Sequence, residues 1–186
     1  MTHPLMPSPI IPITRRALLG GLAALSVARP ARAAAERRVR LYNAHTSESF
    51  DEVYHDGTAY LDDALSELDW LVRDHRENVA LAMDPGVYDL LWTLGSRYAT
   101  ARGARPMITV HSGFRTETTN ELLRTEGAAQ NSLHMQGMAI DISVQGLGIN
   151  ILANQALRIG AGGLGIYYRS GFVHLDTGRP RFWYRR

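Results

Sequence analysis

The sequence predicts an α+β fold, with helices packed on a small, mainly antiparallel sheet. Three observations predict it. Helical periodicities come early in the chain, short apolar strand candidates dominate later, and no repeat, low-complexity segment or linker interrupts residues 34–186. Hydrophobic residues make up 45% of the 186, enough for one globular domain with a real core.

Val39-Arg40-Leu41-Tyr42-Asn43 alternates at period two and reads as a first strand. Leu61, Leu65, Leu68 and Val72 recur at helical spacing, which predicts an amphipathic helix over 60–76. Asp84-Pro85 is an N-cap followed by proline at the first helical position. The helix it opens carries Val87, Leu90, Leu91, Leu94 and Tyr98 on one face. Residues 106–110 read as a strand, and Glu117 to Glu126 as a short helix stopped by Gly127. Met138 to Val144 is a strand and 151–159 a helix. The tail holds short strands around Ile166–Tyr168, Phe172–Leu175 and Arg181–Tyr184.

The first 33 residues read as a leader rather than as part of the fold. Arg15 and Arg16 precede an apolar stretch that ends before Arg29, far short of the roughly 20 residues that span a bilayer. Ala31-Arg32-Ala33 and Ala33-Ala34-Ala35 follow as small-residue cleavage sites, so a secretory signal is expected, with cleavage after Ala33 or Ala35. The paired arginines resemble a twin-arginine export signal, and the mature chain is expected in the periplasm or cell envelope without a stable membrane span. All 20 basic residues are arginine, and four precede the cut with no acidic residue among them. Sixteen arginines then face 18 acidic residues, a net charge of −2, which argues against nucleic acid as a partner. With no cysteine, disulfides, thiolate metal sites and cysteine nucleophiles are excluded.

Two of the seven histidines keep unusual company. His134 stands just before the Gly137 turn, and Asp141 follows inside an apolar strand, flanked by Ile140 and Ile142 on its opposite face. A lone carboxylate at a sheet centre is costly unless it is paired or metal-bound. His174 lies between Val173 and Leu175 in another strand. Two imidazoles, one carboxylate and a water make an open tetrahedral zinc site, which is hydrolase chemistry. The plain alternative is a pair of hydrogen-bonded, half-buried histidines and a strand-end carboxylate. His174-x-Asp176 also has the spacing of a non-haem iron triad, but no histidine occurs in the ten residues after Asp176 to complete one. Ser112-Gly113-Phe114-Arg115-Thr116 leaves a strand for a helix, where Arg115 can present its fork to a carboxylate or an oxyanion.

Ser112–Thr116, the Ser132–Asp141 segment and His174 together resemble the zinc D-Ala-D-Ala peptidase families, which share a metal-site core with lysostaphin-type endopeptidases and hedgehog domains. The match to S-x-H-x-x-G-x-A-x-D holds at Ser132, His134, Gly137, Ala139 and Asp141. Leu41–Thr46, Arg73–Arg76, Thr119-Asn120, Asn131–Gly137 and Phe172–Arg179 are similar to the murein endopeptidase K branch, over nearly all of residues 39–184. The resemblance implies that His134, Asp141 and His174 hold zinc on the sheet. It implies that Arg115 steadies the scissile carbonyl or a substrate carboxylate, and that the substrate is a peptidoglycan stem peptide or cross-link.

The general base is not implied. Where relatives carry an acid or a histidine, this chain has Gly171 and Phe172. Asp176, on the face of His174, is the first candidate, with a rival role of orienting a ligand imidazole. His111 is a further candidate. The expected function is an endopeptidase on wall cross-links. The alternatives are a D,D-carboxypeptidase and a non-catalytic, zinc-containing module that binds peptidoglycan.

Overall fold

The computed structural model describes residues 35–99 and 105–186. The reading of residues 1–33 as a signal peptide lies outside the described residues. Among those described, no helix is long and apolar enough to cross a membrane.

Seven strands and four helices follow in the order β1 (Arg37–Asn43), β2 (Ser49–His55), α1 (Asp62–Leu71), α2 (Pro85–Arg97), β3 (Ile108–Ser112), α3 (Glu117–Leu122), β4 (Ala139–Val144), α4 (Ile149–Arg158), β5 (Gly163–Tyr167), β6 (Phe172–Asp176) and β7 (Arg181–Arg185). The strands form one sheet in the order β2-β1-β3-β4-β6-β5-β7. It is mainly antiparallel, as expected for this α+β fold; the pairs β1–β3 and β5–β7 are parallel.

The sheet has two unlike faces. Val39, Leu41, Ile108, Val110, Ile140, Ile142, Leu164, Val173 and Leu175 are buried on one. They share a core with Leu68 of α1, Val87, Leu91 and Leu94 of α2, and Leu152 and Ala156 of α4. Burying side chains of this size contributes roughly 1.5–3 kcal/mol each, so this face anchors the fold. The alternate residues point to the other face. Ser112, Asp141, His174, Gly165 and Trp183 stand in register across five adjacent strands there, one polar row bounded by an indole.

Several bounds differ from the sequence expectation. α1 ends at Leu71 because Asp74 turns the chain, bridging Val79 and capping the backbone of Arg76. Strand β2 was not expected. Its alternation breaks where the β1–β2 register shifts at Arg37/Arg38, and Ser49, Asp51, Glu52 and His55 make four of its 7 residues polar. The helix expected over 117–126 is α-helical only to Leu122 and tightens to a 3₁₀ turn over Leu123–Glu126. Gly127 ends that turn at φ 97°, in the left-handed region that glycine enters freely. Asp84 accepts from the Gly86 N–H at 2.9 Å with Pro85 beside it, so the α2 cap forms as read.

Candidate metal centre

His134 sits in a 3₁₀ turn, Leu133–Gln136. The Ser132 hydroxyl caps the turn by accepting from the His134 N–H, and Gly137, at φ 69°, reverses the chain into β4. These two contacts give Ser132 and Gly137 a physical reason for their places around the histidine. β4 then delivers Asp141 directly opposite His174 of β6.

The three side chains converge. His134 Nε2 lies 3.1 Å from His174 Nδ1 and 3.3 Å from Asp141 Oδ1, and His174 Nδ1 lies 2.9 Å from the same oxygen. All three residues are buried. The far nitrogens are already committed. His134 Nδ1–H donates to the Gly113 carbonyl at 2.7 Å, and His174 Nε2–H donates to Asp176 Oδ2 at 3.0 Å. Each imidazole therefore turns a lone pair toward its partner and toward the carboxylate. Three acceptors aimed at one point in a buried place repel unless a cation lies between them. Ligands about 2 Å from a tetrahedral ion are spaced roughly 3.3 Å apart, so the donor set fits a metal such as zinc. Among the described residues, this is the group of His, Asp or Glu side chains able to hold an ion.

The surroundings set the charge states. Burial pushes the His134 imidazolium down to about 4, against the opposing pull of Asp141, which keeps the ring neutral and able to ligate. For Asp141, burial favours the neutral acid, but His134, His174 and Arg115 outweigh it and hold the carboxyl well below its ordinary value. Burial would lower His174 as well; hydrogen bonds to Asp141 and Asp176 prevail and raise it.

Arg115 is expected near the reacting carbonyl. Its Nη2 donates to Asp141 Oδ2 and its Nε to Ser112 Oγ at 2.7 Å, while the side chain still lines the cleft above the centre. The Arg115 N–H bonds the His134 carbonyl, tying the turn after β3 to the histidine turn.

Of the two roles expected for Asp176, its position fits the orienting of a ligand imidazole. The carboxylate is fully buried and stands on the far side of the His174 ring from the three-donor cluster. It also accepts from the N–H groups of Gly163 and Gly178 and from both terminal nitrogens of Arg181. Burial would raise its pKa, but these donors together pull it down to about 2. His111 does line the cleft. Its Nε2 meets Ser143 Oγ at 2.8 Å, its ring packs on Phe172, and burial lowers its pKa.

Trp183 and His45 line the cleft but were not singled out as site residues in the sequence, although His45 lies in a segment that carries the resemblance. The Trp183 ring lies 5.1 Å from that of His174, centroid to centroid, and its Nε1–H donates to the Tyr167 hydroxyl at 3.2 Å. The indole rests on Gly165, where a Cβ would come within 2.5 Å of it. Only the register of β7 on β5 could have revealed this. His45 and His75 stack 4.0 Å apart, and His45 Nε2–H bonds the His111 carbonyl. The cleft encloses about 810 Å³, room for several residues of a peptide.

A buried His-Asp-His centre at the floor of an open cleft, each histidine oriented from behind, defines a metal-dependent peptidase. The comparisons give that class a family. A family model described as peptidoglycan L,D-endopeptidase MepK, of the M15 peptidases, matches residues 31–183, and the chain belongs to this family. It is 38% identical over 163 residues to the peptidoglycan L,D-endopeptidase MepK of Escherichia coli K12, covering 87% of this chain and 84% of that one. The protein of the same name from Shigella flexneri matches equally well. A probable peptidoglycan L,D-endopeptidase MepK of Haemophilus influenzae is 37% identical over 125 residues, covering 64% and 63% of the two chains.

Proposed function

We propose that this metallopeptidase is an exported, zinc-dependent cell-wall endopeptidase that hydrolyses L,D cross-links of peptidoglycan. The observation that carries the reading is the convergence of three buried lone-pair donors on the cleft floor. The names of the related proteins supply the substrate class. His134, Asp141 and His174 would hold the ion. When bound, zinc supplies an acidified water and polarises a carbonyl.

The chain's own residues supply the rest. Gly113 and Asp176 fix the two ligand imidazoles through their far nitrogens. Arg115 holds Asp141 in place and presents its remaining donors to substrate from the cleft wall. With Asp176 committed behind His174, His111 is the cleft side chain assigned to take a proton; burial lowers its pKa and so favours the neutral ring that a base needs. Residues 1–33 act as a signal peptide, here read as twin-arginine, that delivers residues 34–186 to the periplasm.

One experiment tests these assignments together. Protein recovered from the periplasm should begin at Ala34 or Glu36 by N-terminal sequencing and carry about one zinc per chain. Mass spectrometry of purified wall fragments incubated with it should show cross-linked dimers converted to monomers. His134→Ala should abolish both zinc and turnover. Stoichiometric zinc in His134→Ala, or intact cross-links after prolonged incubation with the zinc-loaded wild type, would overturn the reading.

A further inference from the structure

The charges around the cleft do not cancel. Of its four arginines, Arg115 is paired with Asp141 and Arg181 with Asp176. Arg76 and Arg185 make no ion pair among the described residues, and Glu126 is the cleft's remaining acidic side chain. A bound divalent ion adds further positive charge beside Asp141. Such a cleft favours an anionic ligand.

Arg185 differs from Arg76 in being held. β7 pairs in parallel with β5, which puts Arg181, Trp183 and Arg185 on the site face of the sheet. The Arg185 guanidinium lies over the Tyr167 ring, 5.9 Å from its centroid, and Nη2–H donates to the Gly127 carbonyl at 2.9 Å. It reaches Gly127 because that residue has no side chain: a Cβ there would stand 1.8 Å from Nη1. The adjacent Glu126 is not its ion-pair partner. A guanidinium fixed on an aromatic face, with donors left over and no acid to neutralise it, is pre-organised for a carboxylate.

We propose that Arg185 is a specificity-determining residue that binds a free carboxylate of the substrate, so that the enzyme selects peptides bearing such a group near the scissile bond. This rests on the endopeptidase reading above and narrows its substrate.

The test uses two synthetic cross-linked peptides, identical except that one carries a free carboxylate near the scissile bond and the other its carboxamide. The kcat/KM of each is measured at saturating zinc for wild type, Arg185→Gln, Arg185→Lys and Arg186→Gln. Arg186 packs on Tyr184 and carries the same charge outside the cleft. Wild type should favour the carboxylate by about 10-fold or more, the size of a charge-assisted hydrogen bond. Arg185→Gln should lose that preference through a higher KM on the carboxylate peptide while cutting the carboxamide nearly as well as wild type. Arg185→Lys should restore part of the preference, and Arg186→Gln should keep it. A wild type that cuts both peptides equally, or an Arg185→Gln that still discriminates, overturns the role of Arg185 and leaves the peptidase intact. Equal loss in Arg186→Gln overturns it in favour of bulk charge. Cleavage of neither peptide by wild type overturns the endopeptidase reading itself, and this proposal with it.

Discussion

At the scale of single residues, two members of the candidate metal centre were legible because each breaks its local pattern. Asp141 is a carboxylate between two isoleucines, and His174 an imidazole between Val173 and Leu175. The position of Asp176 was only half legible. Period two puts it on the His174 face, which holds, but residues i and i+2 of a strand stand almost 7 Å apart. That spacing lets Asp176 meet only the far ring nitrogen, and no sequence pattern says which nitrogen faces the ion. The consequence is testable. Asp176→Asn keeps the shape but removes the charge that orients His174, so zinc affinity should fall about 10–100-fold. Turnover should recover when zinc is added in excess. A kcat that stays depressed at saturating zinc would instead return Asp176 to the reacting water.

At the scale of elements, the end of β3 is where backbone fit governs the site. Gly113 packs so closely on the Val72 turn that a Cβ would lie 2.3 Å from the Val72 carbonyl oxygen. The Phe114 N–H bonds that same oxygen, and the Gly113 carbonyl holds His134. Gly113→Ala must push the two segments apart. We expect a stability loss of about 1–3 kcal/mol, typical of overpacking, together with weaker zinc binding, because the carbonyl leaves His134 as the chain retreats. Thermal unfolding and zinc titration measure the two effects, and a variant unchanged in both would refute the coupling. From sequence this glycine was one letter of a motif; its reason lies at Val72 in the turn after α1, 41 residues earlier in the chain (113 − 72). Strand β2 was illegible for a related reason. Its polar residues satisfy pairing with β1 rather than an apolar face, so no periodicity announces it.

At the scale of the whole molecule, the sheet divides its labour. The helix-covered face carries the hydrophobic core, and the opposite face carries the centre and its cleft. The α+β class was legible from the order of the periodicities, whereas the pairing of strands far apart in the chain, β1 with β3 and β5 with β7, was not. Because the apolar core lies on the face of the sheet away from the candidate centre, removing the proposed zinc with a chelator should leave the fold intact and lower its melting temperature. With free zinc at about 1,000 times its Kd, binding contributes about 4 kcal/mol, a shift on the order of 10 °C for a domain of this size. Circular dichroism at 25 °C should barely change. Unfolding at 25 °C on chelation alone would show that the ion, not the apolar face, holds the domain together.

The directly opposed pair Asp141 and His174 has one more consequence. If β6 slid by a single residue along β4, Val173 or Leu175 would stand where the imidazole belongs, and the apolar row would turn out to the cleft. No three-donor cluster would then exist. An ion held by this centre could be captured only by chains whose strands have found the right alignment, so metal uptake would act as a proofreader of folding. A misaligned molecule would bind no ion, so a preparation containing such molecules would bind less than one ion per chain.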